Sequence, residues 1–427
     1  MRIGQHTIEA FNEGEIQEHQ RSFSFLKEQL ERQGFDVERI LTQLAELQIA
    51  IPTWALGQGG TRFGRFSIGG QPRNLNEKIA DIGLIHQLTQ VAGRLSLHIP
   101  WDIPSQPEES KKLADNYGLA FDAVNSNTFQ DQSDQLHSYK HGSLSHVDEA
   151  VRRQAIDHNK EVIDYGKMLG SKSLTVWLAD GSNHPGQSNL RTALLNTLDS
   201  LRQIYDYMPE DWQLFIEYKP FEPYFYSTVI PDWGTSMYLA NALGHRAFTL
   251  VDLGHHLPNT NIEQIVSNLI TFGKLGGFHF NDSKYADDDV SVGSIKPYQL
   301  FLIFSEIVQG MANNIGHNPA IAYMIDASHN IKDPILDLIQ SLDQIAIAYI
   351  KASIIDYKAL NEVQLENDSV QAAEILNNAF SFDVRPLLRE YRLRNRAPLD
   401  AVAFYRQQNI RKLWIEDRGS VVESSGL

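Results

Sequence analysis

The chain has 427 residues, 42% hydrophobic and 21% charged, with 28 glycines and 16 prolines, which fits an ordinary globular protein and excludes fibrous or disordered classes. It has no cysteine, so disulfide scaffolds, thiolate metal ligands and a cysteine nucleophile are excluded, and any metal must rest on carboxylates and imidazoles. A formal charge of -16, from 37 basic against 53 acidic residues, works against nonspecific binding to nucleic acid or an anionic membrane. Nothing resembles a signal peptide or an apolar span of about 18 residues, so a cytoplasmic protein without a membrane partner is expected.

In chain order, residues 16–48 carry apolar positions at helical spacing, from Phe23 and Leu26 to Leu44 and Leu47, with a break near Gly34. At IAIPTWALG (49–57) the pattern changes to a short apolar run. Similar runs recur at LSLHIP, GLAFDAVNS, SLTVWLAD, WQLFIEYK, AFTLVDLGHH, GGFHFND and IAYMIDASHN, and helical stretches separate them. Eight strand candidates alternating with helices predict a (β/α)8 TIM barrel over residues 49–345. A helical segment (1–48) precedes it and a helical extension (346–427) follows. A doubly wound parallel sheet is the competing fold, since near-continuous apolar strands suit it equally. The positions of the polar residues favour the barrel. His98, Asn125, Trp177, Glu217, Asp252, His279 and Asp326 all fall at or near the C-terminal ends of their runs, the face where barrel active sites gather.

Taken singly these residues are weak signals. Glu217 and Lys219, two apart on one strand, point to one face and read either as an ordinary ion pair or as a carboxylate and ammonium at the barrel mouth. Asp252 and His255 can fold onto one cation across a turn at Gly254, whereas His256 reads as a loop hydrogen-bonder. In GFHFNDSKYADDDV, His279 ends a strand; Asp287 and Asp289, in an extended loop, would face one way and Asp288 the other. That stretch alone reads as a solvated acidic loop. Beside Glu217, Asp252, His255 and Asp326 from neighbouring strands, it reads as part of a metal site. The ligands divide into two cations sharing one acid: Glu217, Asp252, His279 and Asp326 for one, and Asp252, His255, Asp287 and Asp289 for the other. Oxygen and imidazole ligands suit Mn²⁺ first, with Co²⁺, Mg²⁺ or Zn²⁺ also possible. His98 reads as an acid/base group near Asp102 or a buried histidine, and Trp54 and Trp177 as core or as flat faces for a sugar. GQGGTRFGRF (57–66) has neither dinucleotide nor phosphate-loop spacing and reads as a covering loop.

The segments VNSNTF, GSLSH, TVWLADGSN, EYK, VDLGHH, GGFHFNDSKYADDD and MIDASHN together resemble the metal-dependent ketol isomerases of the xylose isomerase-like barrel group, specifically the broad-specificity bacterial L-rhamnose isomerase type. The resemblance implies aldose–ketose interconversion of a monosaccharide by a hydride shift between C1 and C2. It implies the same two ligand sets, with Asp252 bridging, Asp287 on the catalytic cation, His98 assisting ring opening and Lys219 at the substrate oxygen near the reacting carbons. It also implies a homotetramer in which a neighbouring copy's N-terminal segment covers the site, with Phe63 and Phe66 as its aromatics. The rivals are a sugar epimerase, a metal-dependent phosphodiesterase or endonuclease, and a non-catalytic barrel.

Overall fold

The structure is a computed structural model. It describes residues 2–420 except 58, 62, 63, 67, 223, 224, 314–318 and 328–331, with only the backbone of 59–61 and 64–66.

Among the described residues eight strands pair in parallel and close a barrel: β1 (Ala50–Pro52), β2 (Arg94–Ile99), β3 (Ala120–Ser126), β4 (Ser173–Val176), β5 (Gln213–Glu217), β6 (Ala247–Asp252), β7 (Leu275–Phe280) and β8 (Ala322–Ile325). Each pairs with its neighbours in sequence, and β1 closes the ring by pairing with both β2 and β8. Almost every strand residue is buried, because helices cover the outside and packed side chains fill the inside, which explains the uninterrupted apolar runs. Inside the barrel Ala123, Phe215, Phe248 and Leu250 form a separate cluster against Ala322. Gly276 of β7 faces that cluster: a Cβ there would stand 2.6 Å from the Phe248 Cβ and 2.7 Å from the Phe215 ring. Two phenylalanines in that layer leave no room for a third side chain.

Three helices precede the barrel: α1 (Gln5–Glu13), α2 (Ile16–Arg32) and α3 (Val37–Glu46). The eight barrel helices follow their strands in turn as α4 (Leu75–Thr89), α5 (Pro107–Asn116), α6 (Glu149–Leu169), α7 (Leu190–Tyr207), α8 (Trp233–Leu243), α9 (Ile262–Thr271), α10 (Pro297–Ala312) and α11 (Pro334–Ser353). Their starts are written locally. Asn74, Asp148, Asn189, Asp232, Asn261 and Asp333 each cap a first turn through the side chain, and α5 and α10 open on proline. The chain ends with α12 (Tyr357–Leu365), α13 (Ser369–Ser381), α14 (Arg385–Arg394), α15 (Ala401–Gln407) and α16 (Ile410–Arg418), α14 packing back on α2 and α3. Helix α11 runs through residue 345, so the expected boundary between barrel and extension falls within one helix. No single helix among the described residues is long and apolar enough to cross a membrane; α11 and α12 pass that test only as a pair, bent by 63°.

Candidate active site

The strand ends at the C-terminal face converge on one cavity of about 180 Å³. Trp54, from the turn after β1, and His98 of β2 form one wall with Trp101 and Phe129. Trp177 follows β4. Glu217, Lys219, His255, His279, Asp287, Asp289 and Asp326 line it too, with Asn125, Ser126 and Thr175. Asp252 lies beneath it, 1% exposed, in register with His279 on the adjacent strand.

Glu217, Asp252 and His279 each offer a ligand atom within 4.8 Å of the others. His279 Nδ1 is 3.3 Å from Glu217 Oε1, 3.6 Å from Asp326 Oδ2 and 3.8 Å from Asp252 Oδ2. The same Glu217 Oε1 is 3.1 Å from His255 Nδ1, and His255 Nε2 is 3.3 Å from Asp287 Oδ1. Asp287 Oδ2 is 2.7 Å from Lys219 Nζ, which also donates to Glu222 at 2.9 Å. The Trp54 indole N–H donates to Asp326 at 3.1 Å.

Five carboxylates in and beneath this space, Glu217, Asp252, Asp287, Asp289 and Asp326, outnumber one ammonium and the three imidazoles of His98, His255 and His279. Burial, reinforced by the charges of Asp252 and Asp326, pushes Asp289 up to about 7, and burial pushes Asp326 up to about 6. Burial would lower His279, yet Glu217, Asp326 and Asp252 raise it to about 9. Burial likewise works against charge on Glu217, but His279 and His255 hold it well below the usual carboxylate range. The donor set thus collects protons that a cation would replace, and its oxygen and imidazole atoms without sulfur suit a hard or borderline divalent metal.

Two expectations need correction. Asp287 and Asp289 do not alternate along an extended loop: Ala286, Asp287 and Asp289 have φ of 77°, 58° and 41°. A left-handed turn presents both carboxylates to the cavity, and Asp288 accepts the backbone N–H of Lys284 and Tyr285 at 2.9 and 3.1 Å. The second concerns His98, which does not pair with Asp102. The Asp102 N–H bonds the His98 carbonyl at 2.9 Å, and its carboxylate is held at 2.6 Å each by Lys78 and Thr53. The His98 ring instead lies 4.1 Å from Trp101, stacked on it, with Trp54 and Phe129 edge-on. Burial lowers its pKa to about 3, so the imidazole is neutral near pH 7.

Trp177 is more enclosed than a free sugar platform: Lys219 Nζ sits 5.0 Å from its ring centre and His255 stacks at 6.4 Å. His256 is occupied elsewhere, its Nε2 2.6 Å from the Tyr218 hydroxyl. The position of Phe63 and the side chain of Phe66 lie outside the described residues. Sequence reasoning missed Trp101, Phe129, Thr175 and Asn281 at or beside the site. Phe129 and Asn281 stand inside motifs already singled out, but only their neighbours across the barrel reveal them.

A family profile described as xylose isomerase-like TIM barrel matches residues 87–299. A relative from Rhizobium meliloti, named as a probable sugar isomerase, is 50% identical over 95% of this chain and 94% of its own length. One from Mesorhizobium japonicum, with the same designation, is 48% identical over 99% and 98%. The xylose isomerase of Thermus thermophilus is 24% identical over 54% of this chain and 65% of its own. Among solved structures, a 3-keto-D-glucoside 4-epimerase from E. coli shares the fold, with a TM-score of 0.50 at 15% identity over 70% of this chain and 99% of its own. With near-full-length identity of this level and strand-end acids gathered around one cavity, the chain belongs to the xylose isomerase-like TIM-barrel family of sugar isomerases and epimerases.

Proposed function

We propose that this protein is a metal-dependent aldose–ketose isomerase of the L-rhamnose isomerase type, interconverting L-rhamnose and L-rhamnulose and accepting related pairs such as D-allose/D-psicose and L-mannose/L-fructose. One observation carries the reading: the Glu217–Asp252–His279 triad lies beside a Lys219–Asp287 pair, 2.7 Å apart, in a single cavity edged by aromatic rings. The relatives named as sugar isomerases support it. Glu217, Asp252, His279 and Asp326 would hold one divalent cation and Asp252, His255, Asp287 and Asp289 a second, Mn²⁺ first among candidates, supplying Lewis acidity toward the oxygens on C1 and C2.

The chain's own groups supply the rest. His98, neutral and walled by Trp54, Trp101 and Phe129, would exchange a proton with the ring oxygen as the cyclic sugar opens. Lys219, held in place by Asp287 and Glu222, donates to the carbonyl oxygen as negative charge grows on it. Asp287 would handle the proton leaving the C2 hydroxyl. Hydrogen then passes with its electron pair from C2 to C1, the proton from O2 ends on O1, and no external oxidant is consumed. Trp54 and Trp177 border the sugar chain. A homotetramer, with Phe63 and Phe66 of a neighbouring copy over the cavity, belongs to the same reading.

A panel of aldoses and ketoses incubated with the full chain and Mn²⁺ tests it. L-rhamnulose forming from L-rhamnose is the expected result. Epimerisation with no aldose–ketose exchange, or full turnover after exhaustive chelation, would overturn it.

A further inference from the structure

We propose that Asn281 is a positioning residue for the cation site: its side-chain amide aims Asp252 by occupying one of that residue's two carboxylate oxygens. The proposal rests on the metal-dependent reading above, although its test does not require turnover. Asn281 stands two residues beyond His279, 2% exposed, where three barrel segments meet. Its Nδ2 donates to Asp252 Oδ1 at 2.9 Å, to the Asp326 carbonyl oxygen at 2.9 Å, and lies 3.4 Å from Asp289 Oδ1. All three neighbours are acceptors, which fixes the nitrogen on this side of the amide.

The consequence falls on Asp252. Its Oδ1 receives the Asn281 amide, the Gly254 N–H at 2.7 Å and the His255 N–H at 3.2 Å. Three donors on one carboxylate oxygen use its lone pairs, so Oδ2, the atom facing His279 at 3.8 Å, is the oxygen left to meet a cation. Gly254 is part of the same device. A Cβ there would stand 3.0 Å from Asn281 Oδ1 and 3.1 Å from Asp289 Oδ1, so a side chain at 254 would push the amide off its acceptors. Asn281 also places a donor between Asp252 and Asp289, two carboxyl groups that would otherwise face each other in a buried space. An aspartate at 281 would add another acid, and an apolar residue would leave Asp252 Oδ1 with only the two backbone donors of Gly254 and His255.

Groups that orient metal ligands typically change metal affinity about 10–100-fold when removed. The test is Mn²⁺ binding to metal-free full-length protein by calorimetry, with electron paramagnetic resonance of the bound ion. Asn281→Ala should weaken Mn²⁺ binding about tenfold or more, and Asn281→Ser, which keeps one donor, should fall between it and wild type. Gly254→Ala should weaken binding while removing no hydrogen-bonding atom, which keeps the test open if Asn281→Ala fails to fold. Wild-type Mn²⁺ affinity and stoichiometry in Asn281→Ala or Gly254→Ala would overturn the proposal, since a purely structural asparagine would lower only thermal stability. A wild-type chain that binds no Mn²⁺ would overturn it as well. A wild-type chain that binds Mn²⁺ and isomerises no sugar, while Asn281→Ala binds the ion more weakly, would remove the proposed function and leave this inference standing.

Discussion

Among the described residues Lys219 holds the only ammonium in the cavity lining, 2.7 Å from Asp287 and 2.9 Å from Glu222, and is 3% exposed. Lys219→Met keeps most of its volume and removes the charge, so kcat for the proposed isomerisation should fall about 10²–10³-fold with metal binding retained. Steady-state rates beside Mn²⁺ titration separate the two effects, and an unchanged kcat would exclude Lys219 from the chemistry. His158 gives a different prediction. Its buried Nε2 accepts the Asn127 N–H at 3.1 Å, and burial lowers its pKa from 6.5 to about 4. The unfolded chain therefore takes up this proton from about pH 6.5 downward and the folded chain does not until about pH 4. Stability is full above 6.5 and declines by about 3 kcal/mol toward pH 4 through this group alone. His158→Gln keeps an acceptor that does not titrate, so urea unfolding of the variant should show a shallower loss between pH 7 and 4.5; identical slopes would refute the assignment. At this scale the sequence was readable in kind but not in contact. Glu217, Asp252 and His279 were visible as strand-end ligand types, but the Lys219–Asp287 pair was not, because it joins a strand end to a loop 68 positions away and depends on the left-handed backbone at 286–289.

At the scale of elements, the alternation of apolar runs and amphipathic stretches was legible because it is local. Helix caps such as Asn74 and Asp232 and the prolines opening α5 and α10 mark boundaries within three residues of the atoms they serve. The interior of the barrel was not legible, since which side chains share a layer follows from register. β7 shows the difference: Gly276 looks like any strand glycine until Phe215 and Phe248 arrive from β5 and β6. Gly276→Ala should cost about 1–3 kcal/mol by overpacking, measured as a lower denaturation midpoint. A neutral substitution would mean that the layer relaxes around the methyl group.

Across the whole molecule, the C-terminal helix is tied to the front of the barrel rather than appended to it. Arg418 forms a two-pronged pair with Asp81 of α4 at 2.6 and 2.7 Å, and Arg411 does the same with Asp333 at 2.6 and 3.0 Å. The Trp414 ring lies against both guanidiniums, with centroid distances of 4.9 Å to Arg418 and 5.2 Å to Arg411. Gly70 permits the contact, because a Cβ there would stand 2.9 Å from the Ile415 nitrogen. Asp81 is so buried that its pKa rises despite the guanidinium beside it. Arg418→Met, which strands that carboxyl, should destabilise the fold by about 3–5 kcal/mol in equilibrium unfolding. A loss below about 1 kcal/mol would show that Asp81 escapes the penalty by taking up a proton.

What the amino-acid order determined by itself is the succession of strands and helices and the kinds of ligand atom at the strand ends, because periodicity, capping and the two-residue alternation of a strand act over a few residues. The fold decided what depends on distance between strands. It placed Trp177 under Lys219, parted His98 from Asp102, and turned Asp287 and Asp289 inward through a left-handed loop. It also left Oδ2 of Asp252 facing His279, by setting Asn281 and two backbone N–H groups against Oδ1. Stagger and register around a closed barrel set these angstrom-scale separations, and no single stretch of sequence encodes them.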